Sequence, residues 1–375
     1  MTRVNGRACS FEEAVAAAAE LLGAARLPLV YGLVESTVEA QQGAVRLADL
    51  LGAILDTASS PAHRASLDAF ERVGLLTASL GEVRRRANLI VFWACDPERL
   101  HPGFVERYAP ARTGRTRLAV DLGDARGPQG IEERLALPEG GEVDALLVLR
   151  AFVRGRRVEA AVAARAGLPL EALRALATRL TSCGHGALLH DGDPMPEGRD
   201  AERAHALALL VRDVHGNARM RQVCVRAADN AVGAENVLTW QTGFPASVSF
   251  AGGYPRYGPG EFSAERSLAR REVDAVLVVG ALPSSHLSDD AMNHLGRLPV
   301  VQVGGREATG DSRARVFFPA APFRETPGGV FRMDGVALRQ VPAGEDSAAH
   351  DLPTEATVLN RLAERVEQRR SGGRG

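Results

Sequence analysis

Asn88–His101 reads NLIVFWACDPERLH. After Asn88 it is an unbroken apolar run, Leu89–Ala94, too short for an ordinary helix and with no polar side to turn to water. That pattern predicts a strand buried on both faces, as in a parallel sheet covered by helices. A proline and then a histidine follow the strand. Asp274–His286, DAVLVVGALPSSH, repeats the arrangement. In open α/β sheets ligands collect outside the carboxyl ends of strands. Two such strand ends therefore predict an α/β chain with two nucleotide-sized crevices. Asp96, Pro97 and His101 border one, and Pro283 and His286 the other. The chain has no G-x-G-x-x-G, which argues against an ordinary NAD or FAD site.

Upstream, Ser10 and Glu13 form a capping box for a helix with Phe11, Val15, Ala18 and Leu22 on one face. A strand over Leu29–Leu33, a helix from about Thr37 to Leu51 and a short strand over Ala53–Asp56 follow. Asp56–Ser66, DTASSPAHRAS, is read as the loop after that strand, which places Ala62, His63 and Arg64 at an informative edge. As a lone histidine, His63 is more often a surface or capping residue than a ligand.

Downstream come a helical run over Leu67–Leu76, a strand over Arg117–Leu122 and a Gly/Pro-rich loop to about Gly141. Helices are expected over Glu142–Phe152 and Val158–Gly167. The order helix, strand, helix then returns in Leu170–Thr181, Ala187–His190 and Ala201–His215. This predicts a discontinuous Rossmann-like domain over 11–62 and 166–342, with a second one, 63–165, inserted in it. A linker and C-terminal helix occupy 343–370, with Val358, Leu362 and Val366 inward, and 371–375 is a disordered tail. His185, His190, Asp191 and Asp193 do not read as a metal site, because His190 and Asp191 point to opposite faces of a strand.

The aromatic, glycine-rich stretch Leu238–Phe262, LTWQTGFPASVSFAGGYPRYGPGEF, lacks either periodicity and is read as a long ordered loop. Such loops are usually functional. Trp240, Gln241, Tyr254 and Tyr257 would then line a ligand cleft; the alternative is an Ω-loop packed on the core, or an interface loop. Arg332 lies in the Gly-containing hairpin Phe323–Arg339.

Bulk composition narrows the chemistry. The net charge of −1 gives no reason to expect nucleic acid, and no apolar run reaches the length of a membrane span. The N-terminus has no signal core, so a cytoplasmic location is expected. The four cysteines are scattered without C-x-x-C, which argues against a zinc or iron–sulfur site built from this chain. All 45 basic residues are arginine. That removes the lysine on which P-loop, kinase and pyridoxal phosphate chemistry depend.

LVYG, LGEVRRRANLIVFWACDPERLHP, LTWQTGFP, GYPRYGPGEF, REVDAVLVVGALPSSH and FRMDGV together resemble the B subunit of formylmethanofuran dehydrogenases, members of the molybdopterin oxidoreductases. The resemblance runs from about residue 11 to about 340. It implies the two-Rossmann fold of the formate dehydrogenase/DMSO reductase type. It also implies a site for molybdenum or tungsten on two pterin guanine dinucleotides, and an N-terminal [4Fe–4S] domain. Here the chain opens at the first Rossmann helix, so no iron–sulfur domain is expected. The position of the family's metal-ligating cysteine is Ala62, followed by His63 and Arg64, and a methyl group donates no thiolate.

The pattern is similar to the B subunits of bacterial formyltransferase/hydrolase complexes. These move formyl from tetrahydromethanopterin to a methanofuran analogue and hydrolyse it to formate. The resemblance implies a non-catalytic subunit with no Mo/W-pterin, no other metal and no iron–sulfur cluster. Its partners would be an A-type amidohydrolase, a C-type subunit and a D-type formyltransferase. The residues named above would then line a vestigial cleft. Two alternatives stay open: a cleft retained to bind the C1 carrier or another polar ligand, and a pterin-dependent oxidoreductase.

Overall fold

A computed structural model describes residues 1–191, 200–226, 229–280, 287–305, 314–341 and 351–372. The chain divides into two compact units, Met1–Pro61 with Ala228–Gly375, and Ala62–Ala227.

The first unit opens with a small antiparallel pair, β1 (Arg3–Val4) and β2 (Arg7–Ala8). Helix α1 (Phe11–Ala24) follows, with both halves of the Ser10/Glu13 capping box in place. Then come β3 (Pro28–Gly32), α2 (Val38–Leu51), capped by left-handed Gly52, and β4 (Ile54–Thr57). Helix α3 (Ser60–Val73) leads into the second unit.

That unit holds α4 (Leu80–Arg86), β5 (Leu89–Trp93), α5 (Phe104–Tyr108), β6 (Thr116–Leu122) and β7 (Glu133–Leu137). Helices α6 (Glu142–Val153), α7 (Ala160–Ala164) and α8 (Leu170–Ser182) come next. Strand β8 (His185–Asp191), α9 (Asp200–His215) and β9 (Arg219–Val225) complete it.

The chain then returns to the first unit through α10 (Ala231–Thr242), β10 (Val248–Ser249), β11 (Arg256–Tyr257), α11 (Ala264–Ala269) and β12 (Ala275–Val279). It continues with α12 (Asp289–Leu295), β13 (Val300–Val303), β14 (Ala314–Phe318), β15 (Gly328–Phe331), β16 (Ala337–Gln340) and α13 (Glu355–Gly372).

Among the described residues the first unit carries a nine-stranded sheet, β11-β10-β4-β3-β12-β13-β14-β1-β2, and the separate hairpin β15-β16. The run from β4 to β14 is parallel. Every residue of β3 and β12 is buried, as expected for strands covered on both faces. Helices α1, α2 and α13 supply one apolar layer through residues such as Leu22, Leu47, Val358, Leu362 and Val366. The second unit is an all-parallel sheet, β7-β6-β5-β8-β9, with α6, α8 and α9 on its core. In both sheets the strand order reverses once. The reversals fall between β3 and β12 and between β5 and β8, and such reversal points are where α/β sheets receive ligands.

Several sequence expectations change. The insertion is Ala62–Ala227 rather than 63–165. Strand β8 hydrogen-bonds β5, with Ala187 opposite Ile90, so the recurring helix-strand-helix belongs to the inserted sheet. Every α/β crossover repeats that pattern, and the pattern does not say which sheet a strand joins. His63 and Arg64 lie in α3, not in a loop, because the helix starts already at Ser60. Leu238–Thr242, including Trp240 and Gln241, form the last turns of α10 rather than loop. The Gly/Pro-rich segment before Gly141 contains β7. The C-terminal helix runs to Gly372, into the segment expected to be a disordered tail.

Candidate functional site

The cleft residues inferred from sequence divide between the two units. In the second unit His63 is buried and Arg64 is exposed, while the side chain of Ala62 lies outside the described residues. Asp96 caps the 3-10 turn Pro97–Arg99 by accepting from the Glu98 N–H, and Pro97 is buried at the turn's first position. His101 Nε2 lies 2.8 Å from the Arg226 carbonyl, so its ring is tied to backbone.

In the first unit Trp240 is 58% exposed and packs edge-on against Phe331 of β15, with ring centroids 5.6 Å apart. Gln241 is exposed. Tyr254 is 62% exposed. Tyr257 stacks on Phe244 at 5.2 Å. The Arg332 guanidinium is engaged by Asp334, with Nε donating to Oδ1 at 2.7 Å. Pro283 and His286 lie outside the described residues.

What shapes the aromatic stretch is a residue that was not singled out by sequence. Asp56, at the carboxyl end of β4, is buried and accepts from Ser60 Oγ (2.8 Å), Ser247 N (3.0 Å), Ser247 Oγ (3.1 Å) and Ala264 N (2.8 Å). It ties both ends of the 247–264 segment to the sheet. Burial raises its carboxyl above the ordinary range even though these donors pull the other way.

At the first unit's reversal point the strands end in glycines. Gly32 has φ +117°, and a Cβ there would lie 2.1 Å from the Val279 carbonyl oxygen, so β3 and β12 close up only with glycine. Beside them lies Glu355, the first residue of α13. Its carboxyl is packed so tightly on Gly304, at the end of β13, that a Cβ at that position would meet Glu355 Oε1 at 2.3 Å. Burial, with the charge of Glu35 adding to it, pushes this carboxyl up to about 8.

At the second unit's carboxyl edge Glu142, at the start of α6, is 1% exposed. It accepts from Trp93 Nε1 (2.5 Å) and from Arg203 Nε (3.0 Å). Arg203, near the start of α9, also reaches Asp191 at 3.5 Å. Burial lowers His190 to about 4, with Arg203 reinforcing the shift, which leaves a neutral ring beside Asp191. Burial, with Asp191 adding to it, raises the Cys95 thiol well above the usual range.

The edges that Rossmann folds offer to a ligand diphosphate therefore carry this chain's own acids: Glu355 in one unit, Glu142 and Asp191 in the other. A guanine dinucleotide's diphosphate needs backbone N–H groups or cations there, and Arg203 is already committed to Glu142.

Comparison with known proteins agrees with the fold and extends it. No family model matches the chain. Acetylene hydratase from Pelobacter acetylenicus superposes with a TM-score of 0.65 at 13% identity, covering 96% of this chain and 59% of that one. At that identity the likeness shows the fold alone, and the class it defines is a mixed α/β protein with the fold of that enzyme.

Two sequence relatives narrow it. The B subunit of the tungsten-containing formylmethanofuran dehydrogenase 2 of Methanocaldococcus jannaschii is 31% identical over 340 residues, covering 88% of this chain and 78% of its own length. The B subunit of the formyltransferase/hydrolase complex Fhc of Methylorubrum extorquens is 30% identical over 376 residues, covering 97% of both. The chain belongs to the family of formylmethanofuran dehydrogenase B subunits. A chain in the crystal structure of FhcABCD from Methylorubrum extorquens, solved in complex with methylofuran, superposes with a TM-score of 0.80 at 26% identity. The match covers 99% of this chain and 100% of that one.

Proposed function

We propose that this chain is the B-type component of a cytoplasmic formyltransferase/hydrolase complex and serves it as architecture. The chemistry then lies in the A-type amidohydrolase and D-type formyltransferase, which assemble with this chain and a C-type subunit. The observation that carries the reading is the end-to-end match to the Fhc B subunit, 97% of both sequences and essentially the whole fold. Ala62, at the position that the resemblance assigns to the metal-ligating cysteine, supports a chain that binds no Mo/W-pterin, since a methyl group donates no thiolate. Exposed Trp240 and Tyr254 suit a surface that meets another subunit.

The same two aromatics favour a second reading, in which this surface touches the C1 carrier. Isolation through a tag on this chain separates the alternatives. The structural reading expects A-, C- and D-type subunits in fixed ratio with formyltransferase/hydrolase activity, and an unchanged carrier KM in a Trp240→Ala complex. A raised KM with assembly intact supports the second reading. A chain that purifies without partners contradicts both.

A further inference from the structure

The carboxyl edges account for the candidate cleft, but a small cavity lies at the opposite, amino-terminal edge of the second unit's sheet. It measures about 150 Å³, room for about five waters at roughly 30 Å³ each. Its apolar lining consists of small residues, Ala78, Val83, Ala87, Gly186 and Ala187. The rest is cationic or titratable: Arg86 from the end of α4, His185 from the start of β8, Arg219 and Arg221 from β9, and His215 from the end of α9.

One carboxylate, Glu82, shares this lining, and it is largely spoken for. Its Oε2 accepts from the Ser79 N–H at 3.1 Å in the capping box of α4, which leaves Oε1 4.0 Å from Arg86. Arg219 Nη1 donates to His185 Nε2 at 3.4 Å, and both Arg219 and Arg86 reach solvent at the cavity's rim. Arg221 is half-buried and makes no ion pair among the described residues. His215 Nδ1 is 2.9 Å from the Met220 carbonyl and must donate to it, which leaves Nε2 as the ring nitrogen free for another partner. The end of α4 is itself pinned by Arg115, which donates to the Val83, Arg84 and Ala87 carbonyls and cannot serve a ligand. A half-buried guanidinium beside other cations is unfavourable until an anion joins it, and guanidinium is suited to a planar carboxylate.

We infer that this cavity is an anion site, taking a carboxylate on a short aliphatic stem, with the stem on the small apolar residues and the carboxylate on Arg86, Arg219 and Arg221. The anion site itself is argued from this unit alone, and only the choice between its two sources rests on the proposed complex. Two sources share the chemistry, a free small carboxylate and an acidic side chain of a neighbouring protein in the complex.

The test is calorimetric titration of the full chain, alone and in its complex, with glutarate and with neutral glutaramide. Glutarate is expected to bind and glutaramide not to. Arg221→Gln and Arg86→Gln, which break no hydrogen bond that holds the fold, should each weaken glutarate about tenfold or more, a loss typical of one charge-assisted pair. Arg212→Gln on the exposed side of α9 should leave it unchanged. Glutarate binding in both preparations assigns a free carboxylate. Binding by the chain alone that disappears in the complex assigns a neighbour's acidic side chain. No glutarate binding by the chain alone, equal binding of the two compounds, or indifference to Arg221→Gln overturns the inference.

Discussion

Replacing Glu355 by glutamine should stabilise the protein, and only at neutral to alkaline pH. The side chain is 8% exposed, and its carboxyl titrates near 8 in the folded chain against 4.5 for the free group. Below about pH 4.5 both folded and unfolded chains hold the proton, and the residue costs nothing. Between about 4.5 and 8 the unfolded chain releases its proton while the folded chain keeps it. Stability is therefore lost steadily as pH rises through that window, and the whole deficit persists above it. At 1.36 kcal/mol per pKa unit the deficit is about 4–5 kcal/mol.

Glutamine keeps the shape against Gly304 and removes the titration. Its unit has roughly 200 residues, for which each kcal/mol moves Tm by about 2–4 °C. Glu355→Gln should thus melt about 10 °C or more above the wild type near pH 8.5, and within a few degrees of it near pH 5. Scanning calorimetry of both proteins across this range reads the effect. Melting curves that stay parallel at every pH would refute the burial of an ionisable acid at the end of β13.

The second unit makes two related predictions. Arg203→Met leaves Glu142 buried beside Trp93 without its cation, and should cost about 3–5 kcal/mol in urea unfolding, with much of the loss recovered in the Arg203→Met/Glu142→Leu double variant. His190, held near 4, stays neutral in the folded chain while the unfolded chain takes up a proton below about 6.5. Its share of stability is present above 6.5 and is lost as pH falls towards 4, about 3 kcal/mol in all. The ring's NMR signals should not titrate between pH 5 and 8, and a midpoint near 6.5 would contradict its burial.

Much of the fold is legible in the sequence because unbroken apolar runs such as LIVFWA and AVLVVG have no other stable use than doubly covered strands. The limits of the insertion are not legible. β8 and the strands of the first unit carry the same local signal, and only the hydrogen bonds to β5 decide its sheet. Short strands such as β7, read as loop, owe their conformation to a neighbour rather than to their own pattern.

Of the candidate site, the sequence locates the two strand ends but misses the residues that occupy them. Glu142 and Glu355 each read as an ordinary acid in a helix's first turn, where the helix dipole favours it. Their burial depends on Arg203 and Gly304, which are distant in sequence. A weak signal existed for Glu142, an acid opening the strongly apolar helix EVDALLVLRAFV. Asp56 gave none, since an acid at a strand end is common and its partners lie about 190 and 208 residues away.

The account stands or falls on whether this scaffold still holds a redox metal. Molybdenum and tungsten should be measured by mass spectrometry in the complex isolated from native cells through a tag on this chain, and expressed per copy of the chain. The structural role predicts a ratio indistinguishable from the buffer blank. One molybdenum or tungsten per copy would contradict it.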